Sequence, residues 1–97
     1  MDFQVLATIE ILDYVAPNFN PRIISGIRPI IKYEGMPGGS CALNLGNKQE
    51  AFPGETIEVC IDFLSPENHK PLMYVGLNFG LYAANKILAN GTVTALD

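Results

Sequence analysis

Histidine and cysteine are the side chains of this sequence best suited to act as base, nucleophile or metal ligand, and they occur as His69, Cys41 and Cys60. A catalytic Cys–His pair requires the thiol within about 3 Å of the imidazole and a group that orients the ring. His69 stands in the polar stretch 67–71, ENHKP, which predicts a solvated loop residue. Zinc binding is disfavoured because the sequence has no second imidazole.

Acidic and glycine-rich segments offer no stronger candidate site. Glu58 and Asp62 are four residues apart on a predicted strand, so roughly 13 Å separates them, too far for a glycosidase-type carboxylate pair. Residues 36–40, MPGGS, are not followed by a P-loop lysine or by a predicted helix start, and they therefore predict a flexible loop rather than a phosphate cradle. The pattern GxxxxGK[ST] is also missing. We predict no catalytic, cofactor-binding or metal-binding residues, and a protein that is not an enzyme.

Charge and hydropathy narrow the classes of partner. Of the 97 residues, 48% are apolar and only 16% are charged, which is typical of one folded domain spanning residues 1–97. The net charge is −4 and the six basic residues are scattered, whereas phosphate binding depends on clustered Lys and Arg. Nucleic acid is therefore disfavoured as a partner. The low charge leaves apolar surface that is suited to a protein interface.

The sequence also carries expectations about location. No apolar run approaches the roughly 20 residues of a membrane-spanning helix. The first ten residues lack the basic start and apolar centre of a signal peptide. We predict a cytoplasmic protein without a membrane partner, in which Cys41 and Cys60 are free thiols.

Six segments show the alternation of apolar and polar residues that is typical of β-strands: 3–12, 27–33, 41–45, 56–63, 74–82 and 86–96. In the clearest one, 56–63, every second residue is apolar and Cys60 lies on the outer face. The same alternation places Cys41 and Val75 on inner faces. The last segment is ambiguous, because its alternate residues 87, 89, 91 and 93 could face the core although Leu88 and Leu96 fit the opposite face.

Turn-forming residues separate these segments, and no segment has the period and caps of a helix. The sequence predicts an all-β fold, a small antiparallel barrel or sandwich. Closure into a barrel would remove the exposed edges of such apolar strands. The predicted core contains these residues: Val5, Ile9, Ile31, Ile57, Val59, Ile61 and Phe79.

Several of these segments, in this order, resemble the C-terminal β-barrel domain of elongation factor Tu and related translational GTPases. Residues 24–33, ISGIRPIIKY, are similar to its Gly-Tyr-Arg-Pro segment, with Gly26, Arg28 and Pro29 in place. Residues 52–66 resemble its Pro-Gly-Asp strand entry, and residues 75–94 resemble its closing hairpin. The resemblance covers nearly the whole chain. It implies a six-stranded antiparallel barrel of Greek-key type, with the Arg-Pro pair near the start of the second strand.

The chain departs from that family where the family contacts transfer RNA. A charged hairpin tip in the family corresponds here to residues 82–85, Tyr-Ala-Ala-Asn, and a Gly-Arg-His loop corresponds to residues 18–20, Asn-Phe-Asn. Lys86 is the cation expected to remain near the tip. The sequence contains neither the GTPase domain nor the second barrel of the factor.

The resemblance and the composition together favour a non-enzymatic protein-binding module with a protein partner of unknown identity. One version of that role is a decoy or immunity-like protein. The alternative is a translation-associated protein that contacts RNA, or an excised domain of a diverged translational GTPase. Four aromatic residues are candidates for an exposed binding patch, with packing in the core or at the barrel rim as the other interpretation of each: Tyr14, Phe19, Tyr74 and Tyr82.

Overall fold

The computed structural model describes residues 3–12 and 23–96, and this part of the chain is built mainly from strands. The strands are β1 (Gln4–Ile11), β2 (Ile23–Ile24), β3 (Ile30–Tyr33), β4 (Met36–Asn44), β5 (Glu50–Ala51), β6 (Thr56–Phe63), β7 (Asn78–Ala83) and β8 (Lys86–Leu96). A short helix, α1 (Pro66–His69), and a 3₁₀ turn (Lys70–Leu72) lie between β6 and β7.

Six of these strands form a closed antiparallel barrel in the order β1-β6-β4-β3-β7-β8, and β2 and β5 pair separately. The barrel strands β3, β4 and β6 follow one another along the chain and also lie side by side in the barrel. The chain then passes through residues 64–77, which we call the crossover, and returns as β7 beside β3. This return is the Greek-key arrangement. The predicted all-β, six-stranded Greek-key-type barrel is therefore confirmed.

The alternation in the sequence determines which side of each strand faces inward. In β6, Ile57, Val59, Ile61 and Phe63 are buried, and Thr56 and Glu58 are exposed. All seven residues predicted for the core are buried. Such side chains contribute about 1.5–3 kcal/mol each when they are fully removed from water, which makes the interior the main source of stability.

The proline of the Arg-Pro pair lies directly before β3 and not inside it. Its carbonyl accepts a hydrogen bond from the Cys41 N–H at 3.3 Å. Since proline has no N–H to donate to a strand ladder, the start of a strand is a position where it is tolerated. The same position was implied by the resemblance to the elongation-factor barrel.

A β-bulge resolves the ambiguity of the last strand. Leu81 pairs with Ala89 and Tyr82 pairs with Ile87, so Leu88 is the extra residue on β8. A bulge of this kind lets two successive residues escape strict alternation. Leu88 and Ala89 are consequently both buried, whereas Leu96 is exposed.

Two local predictions are wrong. The glycine-rich segment 36–40 was expected to be a flexible loop, but it forms the first half of β4. Val75 was expected on an inner strand face, but it lies in the turn before β7 and its side chain is exposed. Residues 14 and 18–20, which include two of the four aromatic candidates, lie outside the described residues.

Candidate functional site

His69 is buried, which contradicts the prediction of a solvated loop residue. It is the last residue of α1, and only 2% of its surface is exposed. Its ring stacks on Phe63 with 4.2 Å between centroids and an interplanar angle of 18°. Its Nδ1 and the Tyr33 hydroxyl share a hydrogen bond of 2.6 Å. Partners from two barrel strands therefore hold the imidazole at one end of the barrel.

Gly39 completes the cavity that receives this ring. A Cβ built on Gly39 would lie 2.5 Å from His69 Cε1 and 2.8 Å from Nε2. Side-chain atoms do not approach this closely, so any larger residue at position 39 would displace the imidazole. The glycine marks a close approach within a strand, which is a common reason for glycine at such a position.

The structure does not assemble a Cys–His pair from His69 and the buried cysteine. Cys41 Sγ donates to the Pro29 carbonyl at 3.7 Å, and His69 is engaged with Tyr33. Burial raises the pKa of Cys41 to about 12, so the thiol stays protonated at neutral pH. A protonated, enclosed thiol is a poor nucleophile. Cys60 faces outward on β6, on the other side of the sheet from Cys41, as predicted.

His69 and Tyr33 form a neutral pair. Burial lowers the pKa of His69 and raises the pKa of Tyr33, since the low-polarity surroundings disfavour the charged form of each. A cleft of about 170 Å³ borders the ring and is lined partly by Ser40, Ser65 and Asn68. The Tyr33 hydroxyl and His69 Nδ1 satisfy each other by their hydrogen bond, so the pair is a structural contact that anchors the crossover to the barrel.

Two carboxylates, Asp62 and Glu55, have structural partners. Gln4 Nε2 donates to Asp62 Oδ1 at 2.7 Å on the outer face of the barrel. Glu55 accepts from the Phe52 backbone N–H at 2.7 Å and from Lys48 at 3.4 Å, and these contacts hold the pKa of Glu55 below its usual value. Across residues 3–12 and 23–96, no cluster of three or more His, Cys, Asp or Glu is arranged to hold a metal ion.

An open groove of about 800 Å³ lies across the outer faces of β1, β8 and β7. Thr92 Oγ1 donates to Asn78 Oδ1 at 2.8 Å within its lining. Glu10 and Lys32 supply opposite charges to the lining. The other lining residues are uncharged, so the groove has no concentrated charge of one sign.

More positive charge lies beside the closing hairpin, which is formed by β7 and β8, than the sequence suggested. Lys32 Nζ lies 4.5 Å from the centroid of the Tyr82 ring. Lys32 thus joins Lys86 near the hairpin, where we expected Lys86 alone. Tyr82 itself is half-buried and supports this lysine, while Ala84 at the turn has a φ of 55°.

The crossover carries the three most exposed large apolar side chains of the described residues. Leu64 is 74% exposed, Val75 61% and Tyr74 58%. Leu64 is its first residue, and Tyr74 and Val75 precede β7. Of the two aromatic candidates within the described residues, Tyr74 is exposed and Tyr82 is half-buried. The alternating pattern of the sequence did not reveal this set, because its members stand outside the strands.

Replacing Gly39 by alanine is expected to lower the free energy of unfolding by about 1–3 kcal/mol, because the new methyl group would displace His69. Gly38→Ala is the matched control. Its Cβ would lie 3.6 Å from Ile30 Cγ2, an ordinary contact, and should change stability by no more than about 0.5 kcal/mol. Urea unfolding of both variants measures the difference. Equal stabilities would show that Gly39 does not provide the space for His69.

Within the described ranges, no helix is long and apolar enough to cross a lipid bilayer. The closed six-stranded antiparallel barrel is compatible in general shape with the resemblance noted in the sequence. No protein-family model matches this chain, and no curated protein is significantly similar to it.

Proposed function

We propose that this protein is a non-enzymatic protein-binding module and that the crossover forms its binding surface. The observation that carries the proposal is the exposure of Leu64, Tyr74 and Val75. Large apolar and aromatic side chains lose hydration when a partner covers them, and such residues dominate the energetics of protein interfaces. The crossover also lies on a barrel whose strands hold it at both ends.

The charge of the chain supports a protein partner over a polyanion. The net charge of −4 disfavours long-range attraction to nucleic acid. The buried thiol and the neutral His69–Tyr33 pair support a non-catalytic role, since neither provides an activated nucleophile at neutral pH. With two free thiols, we assign the protein to the reducing cytoplasm.

The proposed ancestry is the C-terminal barrel of elongation factor Tu. Pro29 at the entry to β3 and the closing hairpin of β7 and β8 support it. One version of this proposal is a decoy or immunity-like protein, which would engage a partner through a surface of the factor's type. This version identifies the class of partner as a protein that recognises such a barrel.

The crossover surface can be tested by affinity capture with quantitative mass spectrometry. The test variant carries Leu64→Ser and Val75→Ser, and the matched control carries Leu6→Ser and Leu96→Ser, which are exposed apolar residues elsewhere on the barrel. We expect a protein captured by the wild type to be lost with the test variant and retained with the control. Equal capture by both variants would place the interface elsewhere.

Transfer RNA is expected to bind more weakly than about 10⁻⁴ M at about 150 mM salt, because Lys32 and Lys86 can neutralise at most two phosphates near the hairpin. Fluorescence anisotropy with labelled tRNA measures this affinity. A control titration with Lys32→Gln should give the same weak signal. Tight, salt-sensitive binding that Lys32→Gln weakens would favour the alternative function of a translation-associated protein that contacts RNA.

A further inference from the structure

β4 extends beyond its neighbour on one side. The strand begins at Met36, but its pairing with β6 covers only residues 41–44. The last contact beyond that ladder is a hydrogen bond of 3.0 Å from the Leu64 N–H to the Ser40 carbonyl. In the described part of the chain, no strand pairs with this side of residues 36–39. Unpaired strand edges can pair with another chain, and Pro37, which has no N–H to donate, limits such pairing here.

The first turn of the crossover stands opposite this open edge. Residues 36–40 of β4 and residues 64–69 of the crossover together line the cleft of about 170 Å³. Covering an edge with a helix is one way in which proteins protect it. Helix α1 has only four residues, and so short a helix is not stable by itself in water. Side-chain anchors must therefore hold it in place.

His69 is the buried anchor of α1. Its ring occupies the space left by Gly39, stacks on Phe63 and shares its hydrogen bond with Tyr33. These contacts come from β4, β6 and β3, so one side chain joins the crossover to three strands. Each contact suits a neutral ring, and an imidazolium here would lose hydration without gaining a counter-charge.

Within residues 3–12 and 23–96, the titratable groups around His69 offer no compensation. Tyr33 faces it from β3, and Cys41 faces the core from β4 beside Phe63; burial raises the pKa of both, which keeps them uncharged. Asp62 of β6 lies on the outer face with Gln4. On its own segment, Glu67 and Lys70 are exposed. Among the described residues, no carboxylate forms an ion pair with the imidazole.

We propose that His69 is a proton-operated latch: the neutral ring holds the crossover against the open edge of β4, and protonation releases the crossover from it. The latch does not depend on the proposed function, because it concerns the crossover of the protein alone.

The direction of the pH effect follows from the burial of His69, which lowers its pKa from 6.5 in the closed state. The open state binds the proton more readily, so closure is fully stable above pH 6.5 and weakens as the pH falls from 6.5 towards the closed-state pKa. Because one proton is involved, the opening constant should rise by at most about tenfold per pH unit in this interval.

Hydrogen exchange followed by NMR between pH 7.5 and 5.5, corrected for intrinsic exchange rates, tests the latch. His69 is the only histidine, so no other side chain has its ordinary pKa in this range. We expect the Leu64 amide, at the seam between crossover and β4, to lose protection below pH 6.5. The Val59 and Ile61 amides of β6 should retain theirs.

Substitutions at positions 69 and 33 distinguish release of the crossover by protonation of His69 from a general effect of acid on the fold. His69→Phe keeps an aromatic ring on Phe63 without a titrating group, and His69→Gln is a second non-titrating variant should the first fold poorly. Both should remove the pH dependence at Leu64, whereas Tyr33→Phe, which keeps the imidazole, should retain it. Three results would overturn the proposal: unchanged protection in the wild type, the same pH dependence without His69, or simultaneous loss of protection at Val59 and Ile61.

Discussion

Ile61→Ala is expected to lower the free energy of unfolding by about 2–5 kcal/mol, from lost transfer energy and from the cavity left behind. Ile61 is fully buried in β6, between its cross-strand partners Val5 on β1 and Leu43 on β4. The strands on both sides are tied into a closed ring, so they have little freedom to collapse into the space. The loss should therefore fall well above the cost of an ordinary surface substitution.

Urea unfolding of the wild type and the variant measures this difference in the free energy of unfolding. A common slope of that free energy against urea concentration is used only if the two measured slopes agree. Leu64→Ala is the matched control, because it also truncates a large aliphatic side chain but at a position that is 74% exposed. The control should change stability by less than about 0.5 kcal/mol. A loss below about 1 kcal/mol at Ile61, or an equal loss at Leu64, would contradict the assignment of the core.

Gly91→Ala is the second substitution with a large expected effect, about 3 kcal/mol, at the upper end of the usual cost of overpacking, since side chains or backbone are forced to shift. Gly91 lies on β8 directly opposite Phe79 of β7. A Cβ at this position would point into the barrel, 2.6 Å from Phe79 Cε1 and 2.9 Å from Ile9 Cγ2. The observed position of the Phe79 ring therefore requires that residue 91 has no side chain.

A double substitution tests this mechanism. Phe79→Leu removes the ring edge that the new methyl group would meet, so Gly91→Ala should cost less in that background than in the wild type. The coupling between the two changes, measured by thermal or urea unfolding, should be at least about 1 kcal/mol. Strict additivity would show that some other property of Gly91, and not contact with Phe79, accounts for the loss.

The alternation of the sequence predicted most of the barrel because burial on one face of a strand imposes a period of two. β6 shows this most directly, since each of its inward positions is apolar in the sequence and buried in the structure. This alternation is local, so it is readable along the chain without knowledge of distant partners. The position of Pro29 near a strand start was implied instead by the resemblance to the elongation-factor barrel.

The His69 environment was not predictable in the same way. Its partners Tyr33, Gly39 and Phe63 come from three separate strands, and only the folded chain brings them together. The two glycines of segment 36–40 were interpreted as signs of flexibility, whereas Gly39 makes room for the imidazole. A glycine within a strand that signals close approach was the one clue available in the sequence.

The surface features were missed for a related reason. Val75 fitted a strand alternation that begins only at Asn78 in the structure, because the chain turns through Gly76 before β7. Leu64 comes directly after Phe63, the last inward residue of β6, and is the first residue of the crossover. Exposure of such residues is decided by where strands stop, and the sequence specifies strand ends less sharply than strand faces.

A photo-crosslinking amino acid placed in living cells at position 64 tests whether the crossover is a protein-binding surface, with position 6 as the matched exposed control. We expect a discrete protein adduct from position 64, absent or much weaker from position 6, and lost when Tyr74→Ser and Val75→Ser are added. Equal labelling from both positions, or adducts to RNA instead of protein at position 64, would contradict it.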